Sequence, residues 1–275
     1  MSEAMVLLVD NGSRQPAATL SLRSIAARLA EACGRPVHPV SLQHAQAIPP
    51  DALDGRPASV FAEFLRAQLA QGRREFVVVP LFFGASRALS AFIPQQIQIL
   101  TDEFGPFTLR QADVLVPLPN GEPLLADILA AHVAQCSAQL GTEPTRVVVL
   151  DHGSPVPEVS AVRRSVSLAL RDRLAARIPI DQAVMERRPG AEYDFNGPLL
   201  ADELDRCAAA QPNAAVILAM LFISPGRHAG PDGDVADICR EAMVRNPGLQ
   251  VAISPLVGEH PLLIQILNER LRAVL

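Results

Sequence analysis

Short runs of aliphatic and β-branched residues recur along both halves of the chain, separated by stretches with helical periodicity. Met5–Val9, Pro36–Ser41, Phe76–Leu81 and Phe107–Ala112 read as strands in the first half. Arg146–Leu150, Ile180–Met185, Ala215–Leu221 and Gln250–Ser254 read as strands in the second. These runs are apolar at consecutive positions, the pattern of parallel strands covered by helices on both faces. Between them, Val159, Val162, Val166, Leu170 and Leu174 fall three or four residues apart, with Arg163, Arg164, Arg171 and Asp172 elsewhere on the wheel. Repeated βαβ punctuation predicts an α/β fold of two similar parallel-sheet lobes with right-handed crossovers. A helix near Pro123–Leu140 followed by Gly141-Thr142-Glu143-Pro144 puts the expected boundary there, giving domains 1–141 and 145–275.

The two halves are copies. Val9-Asp10-Asn11-Gly12-Ser13 returns as Leu150-Asp151-His152-Gly153-Ser154, an offset of 152 − 11 = 141. Pro80-Leu81-Phe82-Phe83, leading to Arg87-Ala88, returns as Met220-Leu221-Phe222-Ile223, leading to Arg227-His228, an offset of 228 − 88 = 140. Gln43 lies where the second copy has Glu186, an offset of 143. The second copy therefore reads His152, Glu186, His228 where the first reads Asn11, Gln43, Ala88. All three follow predicted strands of one sheet, the edge where ligands bind in open parallel α/β folds. Two imidazoles and a carboxylate suit Fe²⁺, Co²⁺, Ni²⁺ or Zn²⁺, and three protein ligands leave coordination positions open for exchange. Each residue alone is unremarkable. Their joint presence in one copy and joint absence from the other point to a shared site. Arg187 and Arg188, next to Glu186, read as a clamp for a polyanion. Asp232 or Asp234 reads as the N-cap of the helix after the 224–234 loop.

Composition narrows the function classes. The chain has 275 residues and a net charge of −5, so no electrostatic footprint for nucleic acid is expected. Its longest apolar runs stop short of the ~20 residues of a membrane span, and its start lacks the pattern of a secretory signal. A soluble cytoplasmic protein with no membrane partner is the expectation. Cys33, Cys136, Cys207 and Cys239 are far apart and read as buried thiols. His38, His132 and His260 have no partner at useful spacing and read as structural or solvated; His44 reads as a turn residue.

The His-Gly-Ser-Pro run at 152–155, Met185-Glu186-Arg187-Arg188, and Leu221-Phe222 through Pro225-Gly226-Arg227-His228 resemble the class II tetrapyrrole chelatases, in their sirohydrochlorin chelatase branch. The resemblance runs over nearly the whole chain through the repeat. It implies two chelatase-like lobes around a central cleft, and ATP-independent insertion of Co²⁺ or Fe²⁺ (Ni²⁺ in some members) into sirohydrochlorin, with no cofactor beyond that divalent metal substrate. It carries the family's metal-binding and catalytic pattern onto His152, Glu186 and His228. The first half departs from the pattern at Asn11, Gln43 and Ala88. For a polycarboxylate tetrapyrrole partner, the implied contacts are Ser154, Arg187, Arg188 and Arg227, with Ser13, Arg14 and Arg87 from the first half. The oligomeric state is left open between monomer and homodimer.

Two other readings share the same residues. A metal or tetrapyrrole carrier would use the same three ligands and deliver without turnover. A metal-dependent hydrolase would use an open site to activate water, but no further acidic ligand or base has a clear place. The G-x-S-x-G nucleophile pattern is missing, and Asp151 precedes His152 where a phosphatase of the Arg-His-Gly type needs Arg.

Overall fold

The computed structural model describes residues 4–174, 177–230 and 232–275. The first half runs β1 (Met5–Asp10), α1 (Pro16–Cys33), β2 (Val37–Ser41), α2 (Phe61–Ala70), β3 (Glu75–Pro80), α3 (Ile93–Phe104), β4 (Thr108–Gln111) and α4 (Pro123–Leu140). The second runs β5 (Arg146–Asp151), α5 (Pro157–Arg173), β6 (Ile180–Val184), α6 (Leu200–Ala210), β7 (Ala215–Met220), α7 (Asp234–Arg245), β8 (Gln250–Ile253) and α8 (Leu262–Arg272). Each expected strand is present, within one residue at either end.

Both sheets are four-stranded and parallel, in the order β2-β1-β3-β4 and β6-β5-β7-β8. The repeat is visible in the register: Val6 pairs with Val37 in one sheet and Val147 with Ile180 in the other, reproducing the 141 and 143 offsets. The central strands carry the cores, and β7 is buried along its whole length. The outer strands β4 and β8 are exposed at both ends, which is why Arg110, Gln111 and Gln250 are tolerated there. Pro16, Pro123 and Pro157 open helices, where the missing N–H costs nothing; Gly34 and Gly141 close α1 and α4 in the left-handed conformation.

The compact units do not follow the sequence repeat. One comprises Met1–Pro117 with Ile264–Leu275, the other Leu118–Leu263. By position α4 and α8 are equivalent helices, one closing each copy. Yet α4 packs on α5, β7 and β8, so the expected division at 141–145 and the observed one differ by a helix at each end. In the first unit, the Arg270 guanidinium donates to the carbonyls of Val114 and Leu115, and Arg110 donates to those of Val274 and Leu275. Apolar periodicity tells a helix which face to bury but not which sheet will cover it. No helix among the described residues is long and apolar enough to cross a membrane.

Two titratable groups with buried, unpartnered atoms sit uneasily at these cores. Asp10, at the end of β1, has an Oδ1 with no partner, and burial pushes its carboxyl up to about 6 against hydrogen bonds from Ser41 and the Gly12 backbone. His132 on α4 is 4% exposed, with an unpartnered Nδ1; burial, aided by neighbouring His260, holds its imidazole down at about 4. The reading of His132 and His260 as unpartnered needs correction, because the fold brings their rings edge to face at 5.5 Å.

The signs of the two contributions are opposite. Folded Asp10 keeps its proton to higher pH than an unfolded Asp does. Its stabilising contribution is complete below about 3.8 and lost as pH rises through about 6. Folded His132 resists protonation, so its contribution is complete above 6.5 and lost as pH falls toward 4. Each is of order 3 kcal/mol at most. Urea denaturation between pH 5 and 8 should find Asp10→Asn more stable than wild type at pH 8, with the gain shrinking toward pH 5. His132→Leu should gain on wild type as the pH falls.

Candidate metal centre

The geometry of the site begins one residue beyond the β5–β6 ladder. The Met185 amide donates to the Asp151 carbonyl and the Glu186 amide to the His152 carbonyl, each at 3.0 Å. The two strand ends thus stay paired into their loops, which sets His152 and Glu186 side by side. Gly153 makes this possible. It has φ +89°, and a Cβ there would lie 2.0 Å from the Glu186 carbonyl oxygen. Unit one repeats the device: Gly12 has φ +85°, its Cβ would lie 1.8 Å from the Gln43 carbonyl oxygen, and the Gln43 amide donates to the Asn11 carbonyl.

His228 arrives from the β7 side on a loop that folds back on the start of α7. The amides of Asp234 and Val235 donate to the carbonyls of Arg227 and His228, and a Cβ at Gly233 would meet the His228 carbonyl oxygen at 2.6 Å. In unit one the corresponding stretch, Ala88–Phe92, coils instead into a π-helical turn leading into α3. Pro225, Gly226, Gly230 and Gly233 disfavour such a turn in the second copy, and 224–230 forms no helix.

The three predicted donors come together. The imidazoles of His152 and His228 lie 4.8 Å apart between centroids, at 75°. The Nε2 of His228 is 3.7 Å from Glu186 Oε1, and one donor atom from each of the three residues falls within 4.8 Å of the others. An ion bound tetrahedrally at about 2.1 Å would draw its donors to roughly 3.4 Å apart. Rotation of the Glu186 side chain, 58% exposed, can bring its carboxylate closer to both imidazoles. His228 Nδ1 is 2.7 Å from Asp234 Oδ2, and His152 Nδ1 is 3.2 Å from the Gly153 carbonyl. A carbonyl only accepts, and a carboxylate does so when ionised. Both Nδ1 atoms therefore carry the proton, and both Nε2 lone pairs are left for a ligand.

Asp234 does not cap α7; Gly233 occupies that position, and the carboxylate goes to His228 instead. A second group of donors with suitable spacing, Asp181, Glu203 and Cys207, is already neutralised by Arg146 and Arg206 and offers no open carboxylate.

The predicted substrate contacts divide by environment. Segments 152–155 and 186–189 line an open depression of about 340 Å³ beside the three donors. Arg188 lies over the Tyr193 ring at 5.8 Å, and Arg187 donates to the Gly197 carbonyl and pairs with Asp194 at 3.3 Å. Arg227 reaches Asp234 at 3.4 Å with 74% of its side chain exposed. Ser154 and Ser13 have the same local work, accepting through Oγ from the amides of Val156 and Gln15 to shape their turns. Arg14, Arg87 and Asn11 are exposed in unit one, Gln43 and Ala88 are half-buried, and Asn11, Gln43 and Ala88 offer no imidazole or carboxylate.

Sequence reasoning put Arg163 on the polar face of its helix; it is buried, 1% exposed, in an ion pair with Asp151. Burial raises the Asp151 carboxyl, and the Arg163 guanidinium opposes that rise. The repeat held the clue: 163 − 141 = 22, and Leu22 is a core residue of α1. A charge standing where the other copy has buried leucine is a charge with an inward role.

A family model described as CbiX matches residues 5–136 and again 146–274. Among solved structures, SirB from Bacillus subtilis with Fe³⁺ is 16% identical with a TM-score of 0.66, covering 98% of this chain and 95% of that one. SirB from Bacillus subtilis subspecies spizizenii in complex with cobalt is 14% identical with a TM-score of 0.68, covering 98% and 94%. CbiX, described as the terminal enzyme for biosynthesis of siroheme in denitrifying bacteria, is 20% identical with a TM-score of 0.65, covering 99% and 100%. At these identities the likeness establishes the fold, two α/β lobes of chelatase type. No curated protein sequence matches.

Two predictions follow from the geometry. Gly153→Ala and Gly12→Ala should each destabilise the protein by about 1–2 kcal/mol or more, read as a lower melting temperature. Calorimetric titration with Co²⁺ should then show lost affinity for Gly153→Ala alone. Asp234→Asn, which removes the charged acceptor at His228, should weaken Co²⁺ binding about 10–100-fold with little change in melting temperature.

Proposed function

Because the chain belongs to the CbiX family, we propose that it is a sirohydrochlorin chelatase, inserting a divalent metal, Co²⁺ first and Fe²⁺ as the alternative, into sirohydrochlorin without ATP. The observation that carries this reading is the convergence of His152, Glu186 and His228 in one copy of a duplicated fold whose other copy has no such donors. The overall change is M²⁺ plus free-base sirohydrochlorin giving the metallated macrocycle and two protons.

His152 and His228 hold the ion through Nε2, and Glu186 completes the set. With three protein donors, an ion held there would keep positions open beside the depression that pyrrole nitrogens could take from solvent. Ligand exchange at a bound ion turns an encounter of two solutes into a unimolecular step. With both Nε2 lone pairs committed to the metal, Glu186 is the group that accepts a pyrrole N–H proton, and its exposure lets it pass that proton to water. Arg188 and Arg227 meet the substrate carboxylates; Arg187, held by Asp194 and the Gly197 carbonyl, shapes the same rim. Ser154, which lines the same depression, completes the proposed contact set in this unit. The free thiols of all four cysteines suit a cytoplasmic setting.

An anaerobic spectrophotometric assay with sirohydrochlorin and Co²⁺, Fe²⁺ or Ni²⁺ in turn tests the reading. His152→Ala and His228→Ala should lose insertion activity by at least 100-fold, while Asn11→Ala and Ala88→Ser change it less than twofold. Near-normal turnover in either histidine variant would remove the site. Stoichiometric metal binding by the wild type with no repeated turnover would favour a carrier.

A further inference from the structure

Arg163 is the largest fully buried side chain among the described residues. Its Nη1 donates to Asp151 Oδ1, its Nε to Gln182 Oε1 at 3.2 Å, and its Nη2 to the Asn196 carbonyl at 2.5 Å. Asp151 Oδ1 also accepts from the Gly153 amide at 3.0 Å. Asn196, 0% exposed, is the second hub. Its Oδ1 accepts from the Ser154 amide and the Ser160 hydroxyl at 3.0 Å each, and its Nδ2 donates to the carbonyls of Ser154 at 2.9 Å and Tyr193 at 3.2 Å. One guanidinium thus ties together β5, β6 and the 190–197 loop. Those are the segments that present His152 and Glu186.

Unit one has the same scaffold without the network. Applying the 141 offset, Leu22 stands for Arg163, Thr19 for Ser160 and Asp10 for Asp151. Leu22 packs in the core at 1% exposure, while Thr19 Oγ1 and Asp10 Oδ1 are buried without partners. Strand order, register and the close approach of the loop glycine are nevertheless preserved. The fold is therefore built with or without these polar bonds. Burying a guanidinium is costly, and a buried ion pair seldom returns more than leucine packing would. The polar network occurs in the copy that has the donors, and where the donors are missing it is missing too.

Resting on the reading of this centre as a metal-transfer site, we infer that Arg163, with Asp151 and Asn196, is a positioning network. It fixes the His152-Gly153-Ser154 loop so that the His152 imidazole meets Glu186 and His228 in coordination geometry. Arg163 touches neither metal nor substrate.

The test uses the full-length protein with the double substitution Arg163→Leu and Asp151→Asn. Leucine copies unit one, and asparagine keeps an acceptor for the Gly153 amide while removing the charge that would be left alone. The double variant should melt within about 5 °C of wild type. Its Co²⁺ affinity, titrated calorimetrically without sirohydrochlorin, should fall 10–100-fold, and the visible absorption of bound Co²⁺ should change in position or intensity. A folded double variant with less than a tenfold loss of affinity and an unchanged Co²⁺ spectrum overturns the inference. So does failure to fold, since the network would then be a requirement of the fold. Wild-type protein that binds Co²⁺ but never metallates sirohydrochlorin would defeat the proposed function while leaving this test intact.

Discussion

The Glu186 amide donating to the His152 carbonyl carries the pairing of β5 and β6 past the end of the sheet, into the loops. Backbone pairing fixes the spacing of adjacent side chains far more tightly than loop packing does, so two of the three donors are placed by the sheet itself. The cost is local: residue 153 must take a left-handed conformation with a carbonyl oxygen where a side chain would begin. Only glycine meets both demands. His228 is placed by a different device, a loop whose carbonyls are caught by the first amides of α7 and whose ring is oriented by Asp234.

Unit one serves as an internal control. It has the same strand order, nearly the same register and the same strained glycine, with asparagine, glutamine and alanine at the three positions. The scaffold is thus separable from the chemistry. A parallel sheet with both faces covered supplies the framework through apolar burial, and a handful of polar substitutions at the carboxyl ends of its strands supply reactivity.

Much of this was legible from residues alone. Strand positions followed from consecutive apolar runs, and the donors stood out because the repeat provided a second copy to contrast. Residues with invisible roles were those whose type suited a blander one. Arg163 fits a solvated helical face, and only its alignment with Leu22 marks it as inward. Asp234 fits a helix cap, and its partner His228 lies six residues upstream on a loop whose course no local pattern dictates. Asp151 gave no contrast because Asp10 is retained, although the two are embedded in opposite ways, one beside a guanidinium and one without. The pairing of His132 with His260 depends on which sheet α4 covers, which periodicity does not encode.

The destination of the terminal helices bears on how this chain can be divided. A gene cut at the repeat boundary would yield one fragment ending in α4, whose packing partners lie beyond the cut, and another ending in α8, whose arginine anchors to carbonyls left behind. Neither piece would be self-sufficient. Each compact unit takes its closing helix from the other copy, so a division that respects packing falls near residues 117 and 263, not at the repeat boundary.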